Sequence, residues 1–270
     1  MLTALSIAGS DSGAGAGIQA DLKTFSAHGV YGTTAITAIT AQSTLGIVSL
    51  EPLSADLVIA QIEAVVGDIG ADAVKVGMLA TAAIVEAVAA SIRELDLRRV
   101  VVDPVMVSTS GERLLDEEGV AALKAELVEQ ATVITPNIRE AEVLSGLRVT
   151  SLRDAREAAV KIHKAGATAI VITGGHLDDK DAVDLLYADD EFIELRGPRL
   201  DARHAHGTGC TFAAALAANL ARGCALRDAA LNAKEYVAGA ILHAPRIGRG
   251  RGPLNHFWRG LADTESPVPA

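Results

Sequence analysis

Short runs of β-branched residues alternate with alanine-rich stretches of helical period along most of this chain, and that alternation constrains the fold more than any other feature. Extended runs fall at residues 2–8, 35–40, 47–50, 73–76, 100–103, 133–135 and 169–173. Helical patterns fall between them at 18–27, 54–66 (with Ser54 as cap), 80–95, 116–129, 138–145 and 152–165. Strand, helix and strand in repeated succession signal βαβ units, and therefore a mostly parallel sheet covered on both faces. Residues 182–195 break the pattern: two extended runs joined at Asp189-Asp190 read as an antiparallel hairpin at a sheet edge. Two helices follow, 212–222 ending at Gly223 and 226–243 ending before Pro245. The expected architecture is a three-layer α/β fold over residues 1–260 as one domain, with a disordered polar tail at 261–270.

Half of the 270 residues are apolar, ample material for one large core. The 24 basic residues against 34 acidic ones give a net charge of −10, which argues against a general binder of nucleic acid or of anionic membranes. Two cysteines, Cys210 and Cys224, make no disulfide framework and point to a reducing cytoplasm. Residues 1–8 carry no basic region and run into Gly9-Ser10-Asp11, so they read as a first strand and not as a signal peptide. No apolar run reaches the length of a membrane span.

In open parallel sheets, ligands collect beyond the carboxyl ends of the strands, so the residues that follow each strand belong together. After the first strand comes a glycine-rich stretch, 9–17, without the lysine-serine/threonine of a P-loop. It is expected to pack on a small substrate, with Asp21 facing it from the first turn of the next helix; taken alone, Asp21 is better explained as favourable charge at a helix N-terminus. Gln42 presents a donor and an acceptor side by side, the pair that fits an exocyclic amine beside a ring nitrogen, unless water satisfies it. Met78, after Gly77, suits an adaptable wall under a flat ring, or a core position. Asp103, at the end of an apolar strand, is placed as a ligand of Mg²⁺ or of its waters. Glu140 stands three residues after Asn137, as in a capping box, and the same turn delivers it to the strand ends as a metal ligand. Finally, His206-Gly207-Thr208-Gly209-Cys210-Thr211 lies ahead of a helical run. Glycines that permit a tight turn, joined to the positive end of a helix, form an anion site. The helix dipole there is expected to depress the pKa of Cys210, although an ordinary loop-to-helix junction explains the same residues. The histidines and cysteines show no zinc spacing, and there is no G-x-S-x-G elbow.

Taken together, these stretches resemble the hydroxymethylpyrimidine/phosphomethylpyrimidine kinases of the ribokinase-like superfamily. The resemblance runs from about residue 5 to 258. It is carried by Gly9-Ser10-Asp11, Ala16-Gly17-Ile18-Gln19-Ala20-Asp21-Leu22-Lys23, Thr40-Ala41-Gln42, Gly77-Met78-Leu79 and Asp103-Pro104-Val105-Met106. Thr135-Pro136-Asn137 with Glu140-Ala141-Glu142, Gly174-Gly175-His176-Leu177-Asp178-Asp179 and the run from His206 to Thr211 complete it.

The resemblance implies a thiamine-pathway enzyme that phosphorylates 4-amino-5-hydroxymethyl-2-methylpyrimidine and then its monophosphate, using ATP and Mg²⁺, as a homodimer without a separate lid domain. Carried over by position, Gln42, Asp21, Gly9 and Met78 would bind the aminopyrimidine, and Asp103 and Glu140 would organise the metal. Gly207, Thr208 and Gly209 would form the anion hole, and Cys210 would take the hydroxymethyl proton in the first phosphorylation. Thr173, Gly175 and His206 would contact the nucleotide. The chain departs from the family pattern where lysines are frequent: Thr173 stands before Gly-Gly-His, and residues 107–111 hold no lysine. Ser43 stands where asparagine is frequent. Lys234 and Arg203 are candidates to replace the lost cations. Two rival expectations are a pyridoxal kinase and a non-catalytic pyrimidine-binding regulator.

Overall fold

The computed structural model describes residues 1–108, 111–174, 181–200 and 206–260. Gly175, residues 176–179, Arg203 and the tail 261–270 lie outside the described residues. Nine strands form one sheet in the order β3-β2-β1-β4-β5-β6-β7-β8-β9. The strands are β1 (Thr3–Asp11), β2 (Tyr31–Ser43), β3 (Gly46–Pro52), β4 (Ala73–Val76), β5 (Val100–Val102), β6 (Val133–Ile134), β7 (Ile170–Ile172), β8 (Asp181–Ala188) and β9 (Glu191–Pro198). The six central strands, β2-β1-β4-β5-β6-β7 in sheet order, pair in parallel. β3 pairs antiparallel at one edge, and the β8–β9 hairpin pairs antiparallel at the other. That hairpin turns at Asp189 and Asp190, both at positive φ, as a two-residue hairpin turn requires. All described strands belong to this sheet, so none of them builds a separate lid.

The helices are α1 (Gly17–Ala27), α2 (Ala55–Asp68), α3 (Ala82–Glu94), α4 (Glu117–Ala122), α5 (Ile138–Ser145), α6 (Leu152–Lys164), α7 (Thr208–Ala221) and α8 (Leu226–Leu242). Alternating side chains of the strands face opposite layers. Leu5, Ile7, Val74, Val76, Val100 and Val102 pack with α2 to α6. Ala4, Ala73, Val101, Val133 and Val171 pack with α1, α7 and α8. α7 is buried from Thr211 through Ala221, and its run of alanines lets it lie close against the sheet at β4 and β5.

The strands β1 and β2 run longer than expected, and three helix boundaries differ from the sequence expectation, each for a local reason. α3 starts at Ala82, because Ala80 adopts φ +69° and Thr81 caps the helix through a hydrogen bond from the Ile84 N–H. The helix expected over 116–129 is capped by Asp116 but is α-helical only to Ala122, then passes into a π turn over Leu123–Leu127 and a 3₁₀ turn over Val128–Gln130. α7 starts at Thr208, so the Gly-Thr-Gly-Cys motif is the cap and first turn of the helix and not a loop ahead of it.

A buried histidine under α7 makes this packing depend on pH. His256 is 2% exposed, its Nε2 lies 3.1 Å from Thr211 Oγ1, and its carbonyl accepts from the Tyr236 hydroxyl. Burial first, then the Lys23 charge, push its pKa down to about 4 from 6.5. The unfolded chain therefore binds this proton more tightly than the folded one. The stabilisation is complete above pH 6.5 and is lost as pH falls through 4, by about 3 kcal/mol at ~1.4 kcal/mol per unit. Urea unfolding across that window is expected to show a shallower pH slope for His256→Asn than for the parent; equal slopes would refute the assignment.

Candidate active site

One cavity of about 720 Å³ opens along the carboxyl ends of the parallel strands. Gly9, Gln42, Met78, Asp103, Glu140, Thr173 and residues 206–210 all line it. Seven strand ends or helix starts thus deliver residues far apart in sequence to one place, as a parallel sheet does.

The start of α7 is shaped by glycine geometry. Gly207 caps α7 at φ +86°, and an added Cβ would stand 1.8 Å from the Gly15 carbonyl oxygen, so only glycine fits. Thr208, Gly209 and Cys210, the first turn of α7, line the cavity at the positive end of the helix dipole. Asp103 lies opposite: a Cβ on Gly209 would sit 3.9 Å from both of its carboxylate oxygens.

At the cavity floor and below it lies a charge cluster centred on Lys75, which sequence reasoning missed and which lines the cavity. Lys75 lies on β4, on the same strand face as Ala73, which is the face covered by α1 and α7. Ser6 stands beside it in register on β1. Both reach Asp21 of α1: Lys75 Nζ donates at 2.9 Å and Ser6 Oγ at 2.6 Å to Asp21 Oδ2. Asp21 and Lys75 are both 0% exposed. Asp21 is therefore in the second turn of α1, under the cavity and not on its wall, contrary to the expectation that it lines the substrate pocket. Gly77 is also explained by this lysine, since a Cβ there would come within 2.6 Å of Lys75 Nζ. Burial opposes the charge on Lys75, but Asp21, with Cys210 and Asp103 beyond it, more than reverses that and holds the ammonium above its usual value. We take the pair as ionised. Burial raises the Asp21 carboxyl despite Lys75 and Ser6, and its Oδ1 has no hydrogen-bond partner. The available signal was a lysine inside a four-residue strand that is otherwise wholly apolar.

Cys210 corrects a second expectation. Burial pushes its thiol up to about 12 and outweighs both the Lys75 charge and the hydrogen bond from the Gly17 N–H. Cys210 is half-buried on the cavity wall, yet its sulfur is desolvated and Asp103 and Asp21 stand close, so a position in the first turn of a helix does not make a thiolate here. The thiol donates to Asp103, whose own pKa is raised by burial and lowered in part by Lys75. Glu140 forms the expected capping box, accepting from the Asn137 N–H while Asn137 Oδ1 accepts from the Glu140 N–H. Burial, then the Asp103 charge, raise Glu140 as well.

On the other side of the cavity, Thr173 lies beside Gly174, whose N–H donates to Asp184 Oδ1. Lys234 of α8 donates to Asp184 Oδ2 at 2.7 Å and lines the cavity, whereas Arg203 lies outside the described residues. His206, expected on the nucleotide side, lies 3.2 Å from the Gln42 amide nitrogen and 3.1 Å from Asp11 Oδ2. Asp11 was quoted in the sequence only as part of a motif; here it gathers the N–H groups of Gly13, Gly15 and Ala16.

A glycine-shaped helix N-terminus facing paired carboxylates across a cavity of about 720 Å³, at the carboxyl ends of a parallel α/β sheet, has the makings of a small-molecule phosphotransferase site. Residues 11–255 match the phosphomethylpyrimidine kinase family, and the chain belongs to it. It is 49% identical over 264 residues to the hydroxymethylpyrimidine/phosphomethylpyrimidine kinase of Rhizobium meliloti, covering 96% of this chain and 98% of that one. Among solved structures it is similar to the ADP complex of Bacillus subtilis pyridoxal kinase, with TM-score 0.90, 42% identity, and 97% and 99% of the two chains covered. It is also similar to phosphomethylpyrimidine kinase from Clostridium difficile, with TM-score 0.80, 40% identity, and 89% and 100% covered.

Proposed function

We propose that this kinase phosphorylates 4-amino-5-hydroxymethyl-2-methylpyrimidine and then its monophosphate, with ATP and Mg²⁺, in thiamine biosynthesis. The observation that carries it is one cavity wall holding Gln42, Met78 and Gly9 within the same 720 Å³ space as Cys210, Asp103 and the α7 N-terminus. Met78 is fixed by Thr37, whose hydroxyl donates to its carbonyl at 2.6 Å, and it packs where a Cβ on Gly9 would strike its Cε. That leaves Met78 as an apolar part of the wall of the cavity that Gln42 also lines.

Asp103 Oδ2 is buried without a hydrogen-bond partner, and the Asp103 charge raises Glu140. A cation would relieve both. Among the described residues no cluster of three or more His, Cys, Asp or Glu could hold a metal ion, so the donor set fits a metal that keeps waters and phosphate oxygens, as Mg²⁺ does. Asp103 and Glu140 would hold it, and when bound it would neutralise charge on the transferring phosphate. In the first phosphorylation the hydroxymethyl proton passes to Cys210 Sγ as the thiol proton passes to Asp103. In the second the nucleophile is already a phosphate oxygen and needs no base. Cys210→Ala is therefore expected to lower kcat of the first phosphorylation about 100-fold, the usual worth of a positioned base, and that of the second by less than about threefold. Equal losses in both would exclude this role.

We read residues 1–260 as one kinase domain acting in the cytoplasm as a homodimer. No described helix is long and apolar enough to cross a membrane, and both cysteines are free thiols. Val48 on edge strand β3 is 86% exposed and Leu45 beside it 65%, an apolar edge that a second copy would cover. The test is ADP release by the purified protein with hydroxymethylpyrimidine, its monophosphate and pyridoxal, alongside its mass by light scattering. Turnover of both pyrimidines with little on pyridoxal, and a mass near twice 27.8 kDa, are expected. A strong preference for pyridoxal would overturn the substrate assignment and leave the family standing.

A further inference from the structure

One nitrogen of His206 is asked to do two incompatible things. Its Nε2 lies 3.1 Å from Asp11 Oδ2 and 3.2 Å from Gln42 Nε2. Without a proton, Nε2 accepts from the Gln42 amide but turns a lone pair on the Asp11 carboxylate. With a proton it satisfies Asp11, and then the amide nitrogen of Gln42 cannot remain against it. The surroundings decide which holds.

Asp11 is committed as an anion. Burial opposes its charge, but hydrogen bonds from His206, Ala16 and Gly13 outweigh that and hold its pKa below the usual value. An anionic acceptor at 3.1 Å fixes the proton on His206 Nε2. Thr40 points the same way. Its hydroxyl donates at 2.9 Å to the Ser10 carbonyl and cannot also donate to Gln42 Oε1, which stands 3.1 Å away. Amide nitrogen and oxygen are assigned from their hydrogen-bond partners. Turning the Gln42 amide over satisfies every group: its NH₂ donates to Thr40 Oγ1, and its oxygen accepts a share of the His206 proton.

We propose that His206, held by Asp11, is a positioning residue that sets which way round the Gln42 amide faces the cavity, and so selects a 4-aminopyrimidine over a 4-oxopyrimidine. This rests on Gln42 meeting the pyrimidine edge. The two rings differ in the order of donor and acceptor along that edge: an amine beside a bare ring nitrogen in one, a carbonyl beside an N–H in the other. An amide locked in one orientation matches only one order, whereas a free amide rotates to match either. The fold is built to keep His206 in place. A Cβ on Gly15 would come within 2.4 Å of its ring, and Gly207 beside it admits no side chain.

The experiment compares kcat/KM for 5-hydroxymethyl-2-methylpyrimidine bearing a 4-amino or a 4-oxo group in the parent, His206→Leu and His206→Gln. The parent is expected to favour the amino compound. In His206→Leu the preference should fall by about tenfold or more, the discrimination expected from one misdirected bidentate pair. It should fall mainly through KM for the amino compound and a gain on the oxo compound. His206→Gln, whose amide nitrogen can donate to Asp11 in place of Nε2, should recover preference. Undiminished preference in a His206→Leu protein that still turns over ATP would overturn the proposal while leaving the aminopyrimidine assignment intact. A parent that does not prefer the amino compound would overturn that assignment and the proposal with it. A gain on the oxo compound also separates positioning from mere damage, which only lowers rates.

Discussion

Lys75→Met is expected to lower the free energy of unfolding by about 3–5 kcal/mol, the cost of leaving one member of a buried ion pair without its partner. Lys75 and Asp21 are both wholly buried, and Asp21 keeps only the Ser6 hydroxyl once the ammonium is gone. The double variant Lys75→Met/Asp21→Leu should regain most of that loss, because an apolar pair of similar volume carries no desolvation penalty. Activity should not return with it. Lys75 is the buried cation nearest in effect to Cys210 and Asp103, and its charge favours the ionised form of both. Urea unfolding and single-turnover rates on the three proteins check this. A single variant within about 1 kcal/mol of the parent would mean the pair is not ionised, since the figure comes from uncompensated charge.

Asp103→Asn is expected to act the other way round, costing rate and not stability. The substitution keeps shape but removes the charge that faces the α7 N-terminus and accepts the Cys210 hydrogen bond. We expect kcat to fall about 10²–10³-fold in both phosphorylations, the range seen when one preorganised electrostatic group is removed from a site of transferring charge. Burial raises the pKa of this carboxyl in the folded state. The folded chain thus binds its proton more tightly than the unfolded chain, so above the unfolded pKa the ionised group works against folding. A neutral amide relieves that, and the melting temperature should hold or rise. A fall in melting temperature together with an unchanged rate would remove Asp103 from the chemistry.

Much of the site was legible because parallel α/β sheets place function at strand ends. Gln42 lies at the end of β2, Met78 and Asp103 come just after β4 and β5, Glu140 lies in the first turn of α5, and all four line the cavity. Asp21 and Cys210 were misjudged for one shared reason. Their chemistry depends on how deeply neighbouring elements bury them, and a linear string does not contain that depth. Lys75 was passed over because strand membership says which face a residue takes, not what waits there.

What this sequence determined by itself was the order of elements, the central parallel sheet with its edge hairpin, and the family of chemistry. Each follows from local periodicity or from short motifs whose backbone geometry is self-contained. The tertiary structure alone decided the roles within that frame. Asp21, 54 residues from Lys75, became half of a buried ion pair. His206, 164 residues from Gln42, came to share its hydrogen bond. Cys210, 107 residues from Asp103, came to share a hydrogen bond with it. These outcomes depend on distance and solvent exclusion, and both arise only when α1, α7 and the sheet close on one another.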